Sequence, residues 1–260
     1  MNLIVKKYGG TSVASIAKIS KIAENLIDEY NSNKKLIVVL SAMGDSTDKL
    51  VNLSSKVSKN PNTRDFDMLL SSGEQVSVSL LSMILNERGI AAKSYTGWQA
   101  GIRTNIDYNN ARILSIDTKR IRADLKKGFI IVVTGFQGIN NRGDITTLGR
   151  GGSDTTAVAL AAALKAQECQ IYTDVDGVYT TDPRICAKAK RIDVLTYEEM
   201  LEMAGLGSRV LQLRSVEFAS KYNVPLRVLH AHNSNNIGTL IKKEEKNMEG
   251  ALISGIAFTK

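Results

Sequence analysis

Apolar and polar positions repeat along the chain in two periods, and each change of period separates a predicted strand from a predicted helix. Residues 3–6 form a short apolar run that ends at Gly9-Gly10, and Ile16, Ile19, Ile22, Ala23, Leu26 and Ile27 follow at helical spacing. The runs 36–40 and 129–134 are continuously apolar, as expected of strands covered on both faces. A second amphipathic stretch begins near Asp45, and 66–85 reads as helix with a break near Gly73. Further strands are predicted at 91–95, 112–115, 169–173, 226–229 and 239–241. Further helices are predicted at 153–165, with Ser153 as N-cap, and at 197–203 and 209–222. Strands that alternate with helices predict an α/β fold with a largely parallel sheet. The glycine loops (Gly9-Gly10, Gly44, Gly135/Gly138, Gly149/Gly151/Gly152) follow strands, which predicts ligand-facing loops along one sheet edge.

Composition narrows the class. The 260 residues are 43% hydrophobic and 23% charged, enough apolar side chain for a sizeable core, which excludes wholesale disorder, collagen and a disulfide scaffold. No uninterrupted apolar run approaches the ~18 residues of a membrane span, and the first residues lack the apolar core of a signal peptide, so a cytoplasmic location is expected. Cys169 and Cys186 are the two cysteines, with no Cys-x-x-Cys and no expected disulfide. The net charge of +8 suits a polyanionic partner: nucleic acid, a membrane surface or a small polyanion. Basic residues are mostly interleaved with acidic ones. The densest stretch, 119–127, spaces Ile121 and Leu125 as a helix with a solvated basic face and carries no aromatic residues for stacking on bases, so no nucleic-acid partner is expected.

The chemistry lies in three segments. No Gly-x-x-x-x-Gly-Lys-Ser/Thr loop occurs, and no full Gly-x-Gly-x-x-Gly follows a strand. His230 and His232 share a strand face but lack neighbours to complete a metal site, so a structural role is expected. In Lys6-Lys-Tyr-Gly-Gly-Thr-Ser12, a lysine leaves a strand just before a glycine pair and a helix. That is an anion site, or a tight turn with an exposed lysine. Leu148-Gly-Arg-Gly-Gly-Ser-Asp-Thr-Thr156 offers a second helix N-terminus, an arginine able to grip a carboxylate or phosphate, and Asp154, which either favours the helix dipole or holds basic side chains in place. Tyr172-Thr-Asp-Val-Asp-Gly-Val-Tyr-Thr-Thr-Asp-Pro-Arg184 does not fit a calcium loop and suits a nucleotide pocket better. Phosphoryl transfer is mostly positioning and charge neutralisation, and this inventory points to it, with a small anionic acceptor.

Six segments, in order along the chain, strongly resemble bacterial aspartate kinases: Lys7-Tyr-Gly-Gly-Thr-Ser-Val13, Ser41-Ala-Met-Gly-Asp-Ser-Thr47, Ser72-Gly-Glu74, Gly135-Phe-Gln-Gly138, Thr147-Leu-Gly-Arg-Gly-Gly-Ser-Asp154 and Tyr172-Thr-Asp-Val-Asp-Gly-Val-Tyr179. The resemblance implies the amino-acid kinase fold, a three-layer αβα sandwich with a largely parallel central sheet. It implies ATP-dependent phosphorylation of the L-aspartate side-chain carboxylate, the entry to lysine, threonine and methionine synthesis, with Mg²⁺ carried by the ATP phosphates. By resemblance, Lys7, Asp154 and Arg209 are the catalytic set. Ser41, Thr47, Glu74, Phe136, Arg150, Gly151, Gly152 and Ser153 line the aspartate site, with Arg150 on the α-carboxylate and Glu74 on the α-ammonium. Lys7, Gly9, Gly10, Thr173, Asp174, Tyr179, Asp182, Arg184 and Arg209 face the nucleotide. Arg209 departs from the family's usual lysine and keeps the charge in another shape. Residues 1–245 are expected to form the catalytic domain, and 246–260 a connector and first strand of a truncated ACT regulatory region. The family also implies a homodimer. A glutamate or acetylglutamate acceptor, or a nucleotide-binding subunit without turnover, is the alternative.

Overall fold

The computed structural model describes residues 2–206, 210–232 and 237–244. In chain order the first half runs β1 (Leu3–Tyr8), α1 (Ile16–Asn31), β2 (Lys35–Leu40), α2 (Ser46–Val57), α3 (Thr63–Leu70), α4 (Ser72–Glu87), β3 (Ala92–Tyr95), β4 (Ile102–Thr104), β5 (Ile113–Ile116), α5 (Lys119–Lys126) and β6 (Ile130–Thr134). The second half runs β7 (Gln137–Ile139), β8 (Ile145–Thr147), α6 (Gly152–Leu164), β9 (Glu168–Thr173), β10 (Val178–Tyr179), β11 (Arg191–Ile192), β12 (Val194–Thr196), α7 (Tyr197–Gly205), α8 (Leu213–Tyr222), β13 (Leu226–His230) and β14 (Thr239–Lys242).

Eight strands form the main sheet, in the order β12-β14-β13-β9-β1-β2-β6-β3. Its strands are parallel except that β14 runs against β13 and β12 follows β14. The apolar runs are continuous because successive side chains enter different cores. Ile4, Tyr8, Leu36, Val38, Leu40, Ile130 and Val132 meet Ile19, Ile22 and Leu26 of α1 and Val78, Leu81 and Leu85 of α4 on one side. Leu3, Val5, Ile37, Val39, Ile131 and Val133 meet Val158, Leu160 and Ala161 of α6, Leu125 of α5 and Val216 of α8 on the other. The result is the expected three-layer αβα sandwich.

A second, four-stranded sheet, β5-β4-β7-β8, and the β10–β11 hairpin complete the fold. The sequence did not predict β4, β7, β8 or β10–β12, and the strand expected at 112–115 is displaced by one residue. The break expected near Gly73 falls at Ser71. Gly73 lies inside α4, where a side chain would come within 2.9 Å of the Ala42 Cβ, so its glycine serves close packing rather than a break. Ser153 is not the N-cap of α6. That position belongs to Gly151, left-handed at φ 71°, and Ser153 is already in the first turn. The predicted start of α8 at Arg209 and the segment 246–260 lie outside the described residues. The stretch 63–87 is long and apolar enough to cross a bilayer by length and composition. Its Leu70, Val78, Leu81 and Leu85 are instead buried in the fold.

Candidate active site

Four central strands end at one level. Tyr8 is in register with Leu40 and with Tyr172, and Leu40 with Thr134. The loops that leave these ends are pinned to their neighbours: the Gly9 N–H donates to the Tyr172 carbonyl at 3.4 Å, Ser41 to Tyr8 at 3.1 Å, Gly44 to Gly10 at 3.0 Å and Gly135 to Leu40 at 2.9 Å. Open α/β sheets bind ligands at this edge.

The period of two sends Lys6 and Lys7 to opposite faces of β1. Lys6 is fully buried on the α1 side, ion-paired with Glu29 and bonded to the Tyr172 hydroxyl at 2.9 Å. Burial pushes its ammonium pKa down, and Glu29 pulls it partly back. Lys7 lies on the α6 side, and its Nζ is 2.6 Å from Asp154 Oδ1. Asp154 sits in the first turn of α6, where the dipole favours a carboxylate, and pairs with a lysine at the strand edge.

The start of α6 leaves backbone N–H groups without backbone acceptors. The Gly152 N–H closes on Gly149 at 3.0 Å and the Thr155 N–H on Gly151 at 3.1 Å. Among the described residues the Ser153 and Asp154 N–H groups have no backbone acceptor. The β6 loop lies directly beneath, because a side chain on Gly135 would come within 2.5 Å of Ser153 Oγ. Phe136 holds a left-handed φ of 71°. Its N–H donates to Thr156 Oγ1 at 3.1 Å and its carbonyl accepts from Leu148 at 2.8 Å. Such a conformation is strained for a bulky residue and persists only where its surroundings enforce it.

Two of the expected acceptor-site residues are charged. Arg150 is exposed on the loop into α6 and has no ion-pair partner among the described residues. Glu74 is 3% exposed in the first turn of α4. Its Oε1 accepts from the Ala42 N–H at 3.2 Å, tying it to the β2 loop that carries Ser41, while its Oε2 is buried without a hydrogen-bond partner. Burial raises its carboxyl pKa to about 7. Thr47 is half-buried in the first turn of α2, after the same loop.

The expected nucleotide residues follow β9. The Thr173 hydroxyl donates to Asp174 at 3.0 Å and the Tyr179 hydroxyl to Asp176 at 2.8 Å. The guanidinium of Arg184 grips Asp182 with both ends, at 3.0 and 2.8 Å, in an exposed loop. That pairing holds the Asp182 carboxyl below its usual range. Arg209 lies outside the described residues.

A cavity of about 550 Å³ opens elsewhere, on the α1 face, lined by Asn25, Glu29, Lys34, Gln170, Arg227 and His230 among others. Its ion pairs are already made, Glu29 with Lys6 and Lys34, and Arg227 with Glu168. The buried, unpartnered Glu74 oxygen and the exposed Arg150 lie outside this cavity. Sequence reasoning missed the Lys6–Glu29–Tyr172 network and the Tyr8–Tyr172 stack, whose rings lie 4.5 Å apart behind the β1 loop. It also missed Asp67, a fully buried carboxylate in α3. The one available signal was an acidic residue inside the apolar run Phe66-Asp-Met-Leu-Leu70.

Comparison with known proteins places this geometry in context. The amino acid kinase family matches residues 2–230. The aspartate kinase of Pseudomonas putida is 58% identical over 261 residues, covering all of this chain and 63% of that protein. The chain thus spans less than two thirds of the length of the curated relatives it matches. Among solved structures, the aspartate kinase from Synechocystis superposes with a TM-score of 0.83 at 48% identity, over 93% of this chain and 40% of that one. E. coli aspartokinase III, solved in complex with aspartate and ADP, gives the same TM-score at 29% identity, over 94% and 65%.

Proposed function

We propose, for a chain that belongs to the amino acid kinase family, that it transfers the γ-phosphoryl group of ATP to the side-chain carboxylate of L-aspartate, forming 4-phospho-L-aspartate. The observation that carries the acceptor is the pair of opposite charges at the strand edge. Glu74 is buried with one oxygen unpartnered, and Arg150 is exposed without a partner among the described residues. An α-amino acid presents an ammonium and a carboxylate to match them. The names of the similar proteins support the same reading.

On this reading Glu74 takes the α-ammonium and Arg150 the α-carboxylate, with Ser41, Thr47, Phe136, Gly151, Gly152 and Ser153 around them. The side-chain carboxylate, with an ordinary pKa of about 3.9, is ionised at neutral pH and needs no general base. Its oxygen attacks the γ-phosphorus, and the bond from that phosphorus to the bridging oxygen breaks, releasing ADP. Lys7, held by Asp154, and the N–H groups at the start of α6 offset charge on the transferring oxygens. Gly9 and Gly10 give the phosphates access to the backbone, and Thr173, Asp174, Tyr179, Asp182, Arg184 and Arg209 receive the rest of the nucleotide.

On this reading a magnesium ion is carried by the ATP phosphates. Bound there, it would neutralise charge on the β- and γ-oxygens. Residues 1–245 form the catalytic domain in this reading, and a cytoplasmic homodimer is its assembly.

Hydroxylamine trapping tests the proposal. The chain with Mg-ATP and a panel of amino acids is expected to give acyl-hydroxamate with L-aspartate and none with L-glutamate or N-acetyl-L-glutamate. Hydroxamate from another acceptor alone would overturn it.

A further inference from the structure

We propose that Asp67 is the positioning residue that fixes the spacing between the ammonium-binding and carboxylate-binding sides of the acceptor site. The inference rests on the acceptor reading above and deepens it. Asp67 is fully buried in α3, and no cation pairs with it among the described residues. Its carboxylate is satisfied by donors from two other segments. The Asn109 N–H donates to both oxygens at 3.1 and 3.0 Å, and Thr147 gives its N–H and its hydroxyl, each at 2.7 Å.

Those partners are the footing of the Arg150 loop. Thr147 ends β8, and the next residues are Leu148, Gly149 and Arg150. The Thr147 carbonyl accepts from the Ala111 N–H at 2.8 Å, and a side chain on Gly149 would meet the Asn109 carbonyl at 3.0 Å. Asn109 is itself left-handed at φ 65°, a conformation that the bond to Asp67 helps to hold. On its other side Asp67 is linked to Glu74 along the chain. Its backbone carbonyl accepts from the Ser71 N–H at 3.0 Å, at the joint where α3 gives way to α4, and Glu74 lies in the first turn beyond. The Gln137 amide crosses to the Ser71 carbonyl at 2.9 Å and locks the same joint to β7.

The Asp67 carboxylate thus ties α3 to the base of the Arg150 loop, and the backbone carbonyl of the same residue anchors the joint from which α4 and Glu74 start. The distance between an α-ammonium and an α-carboxylate is fixed by covalent geometry, so a site that recognises both needs such a tie. Burial pushes the Asp67 carboxyl up, while its three donor groups oppose that shift by favouring the ionised form.

Asp67→Asn keeps the shape but turns an amide N–H₂ toward N–H donors. Expected is a rise of about tenfold in the KM for L-aspartate, with the KM for ATP within about twofold of the parent, because a mispaired buried group disturbs the structure it holds. Thr147→Val removes one donor and keeps the carboxylate, so it should shift the aspartate KM the same way by about threefold. It carries the test if circular dichroism shows Asp67→Asn unfolded. In an Arg150→Ala background Asp67→Asn should add less than about twofold, since both act through one contact. Equal rises in both KM values, or full additivity with Arg150→Ala, would overturn the inference. A parent chain that binds no L-aspartate by calorimetry would instead sink the acceptor reading on which it stands.

Discussion

Glu74 is a carboxylate whose chemistry is set by what surrounds it rather than by its type. It is 3% exposed, one oxygen is held by the Ala42 N–H and the other has no partner, and burial lifts its pKa from 4.5 to about 7. A folded acid with a raised pKa keeps a proton that the unfolded chain has released. Between 4.5 and about 7 its contribution to stability therefore falls as pH rises. An ammonium pairs with the ionised form and pulls the pKa back down. L-aspartate affinity should accordingly strengthen as pH rises from about 6 to about 8, and Glu74→Gln should remove that slope and weaken binding about tenfold. Calorimetry across this range would take Glu74 out of the ammonium site if parent affinity proved flat. Ser72-Gly-Glu74 was legible in the sequence as part of a resemblance, but the unpartnered oxygen was not, because burial depends on Ala42 and α4 coming together from distant positions. Asp67 was hidden for the same reason: its donors lie 42 and 80 residues away.

The strands with long apolar runs were readable because one period of two, apolar on both faces, admits few other placements. β2 and β6 fall, to within one residue, where their runs predict. The small sheet was not readable. Gln137-Gly-Ile139 and Ile145-Thr-Thr147 are three residues each, too short for a period, and they are strands only because tertiary pairing makes them so. The N-cap of α6 was misread because Ser153 suits an N-cap by type, whereas the left-handed turn at Gly151 starts the helix two residues earlier. That earlier start sets the Ser153 side chain against the Gly135 backbone. Gly135→Ala would place a Cβ 2.5 Å from Ser153 Oγ and 2.9 Å from its Cα, so the α6 N-terminus must retreat from the β6 loop. The expected cost is about 1–3 kcal/mol of stability. Turnover should fall more steeply than stability, because Asp154 and the free N–H groups move with α6. Thermal denaturation alongside a turnover assay checks this, and a variant with normal stability and normal turnover would mean that the contact is not tight in solution.

The order of the sheet divides the site. β1, which carries Lys7, stands between β2 and β6 on one flank and β9 and β13 on the other. Glu74 reaches the first flank through Ala42, and Arg150 reaches it through the α6 start that rests on Gly135 and Phe136. Thr173 and Asp174 leave the second flank, and the loop bearing Asp182 and Arg184 follows them. Helix α6 packs behind β1 and places Asp154 on Lys7 at the divide. On the proposed reading this arrangement would make the two binding events separable and leave catalysis where they meet. Each ligand stabilises the folded state in proportion to its own affinity, so thermal shift reads them independently. Arg150→Ala should lose the shift given by L-aspartate and keep the shift given by ATP. Arg184→Ala, which leaves Asp182 without its guanidinium partner, should do the reverse. Lys7→Ala should keep the shift given by L-aspartate while turnover drops by about 10²-fold or more, as expected when a group that offsets developing charge is removed. If Arg150→Ala weakened ATP as much as aspartate, the flanks would not be independent and the division of the site drawn from the strand order would fail. If Lys7→Ala turned over normally, the lysine that Asp154 holds at the divide would have no part in the transfer.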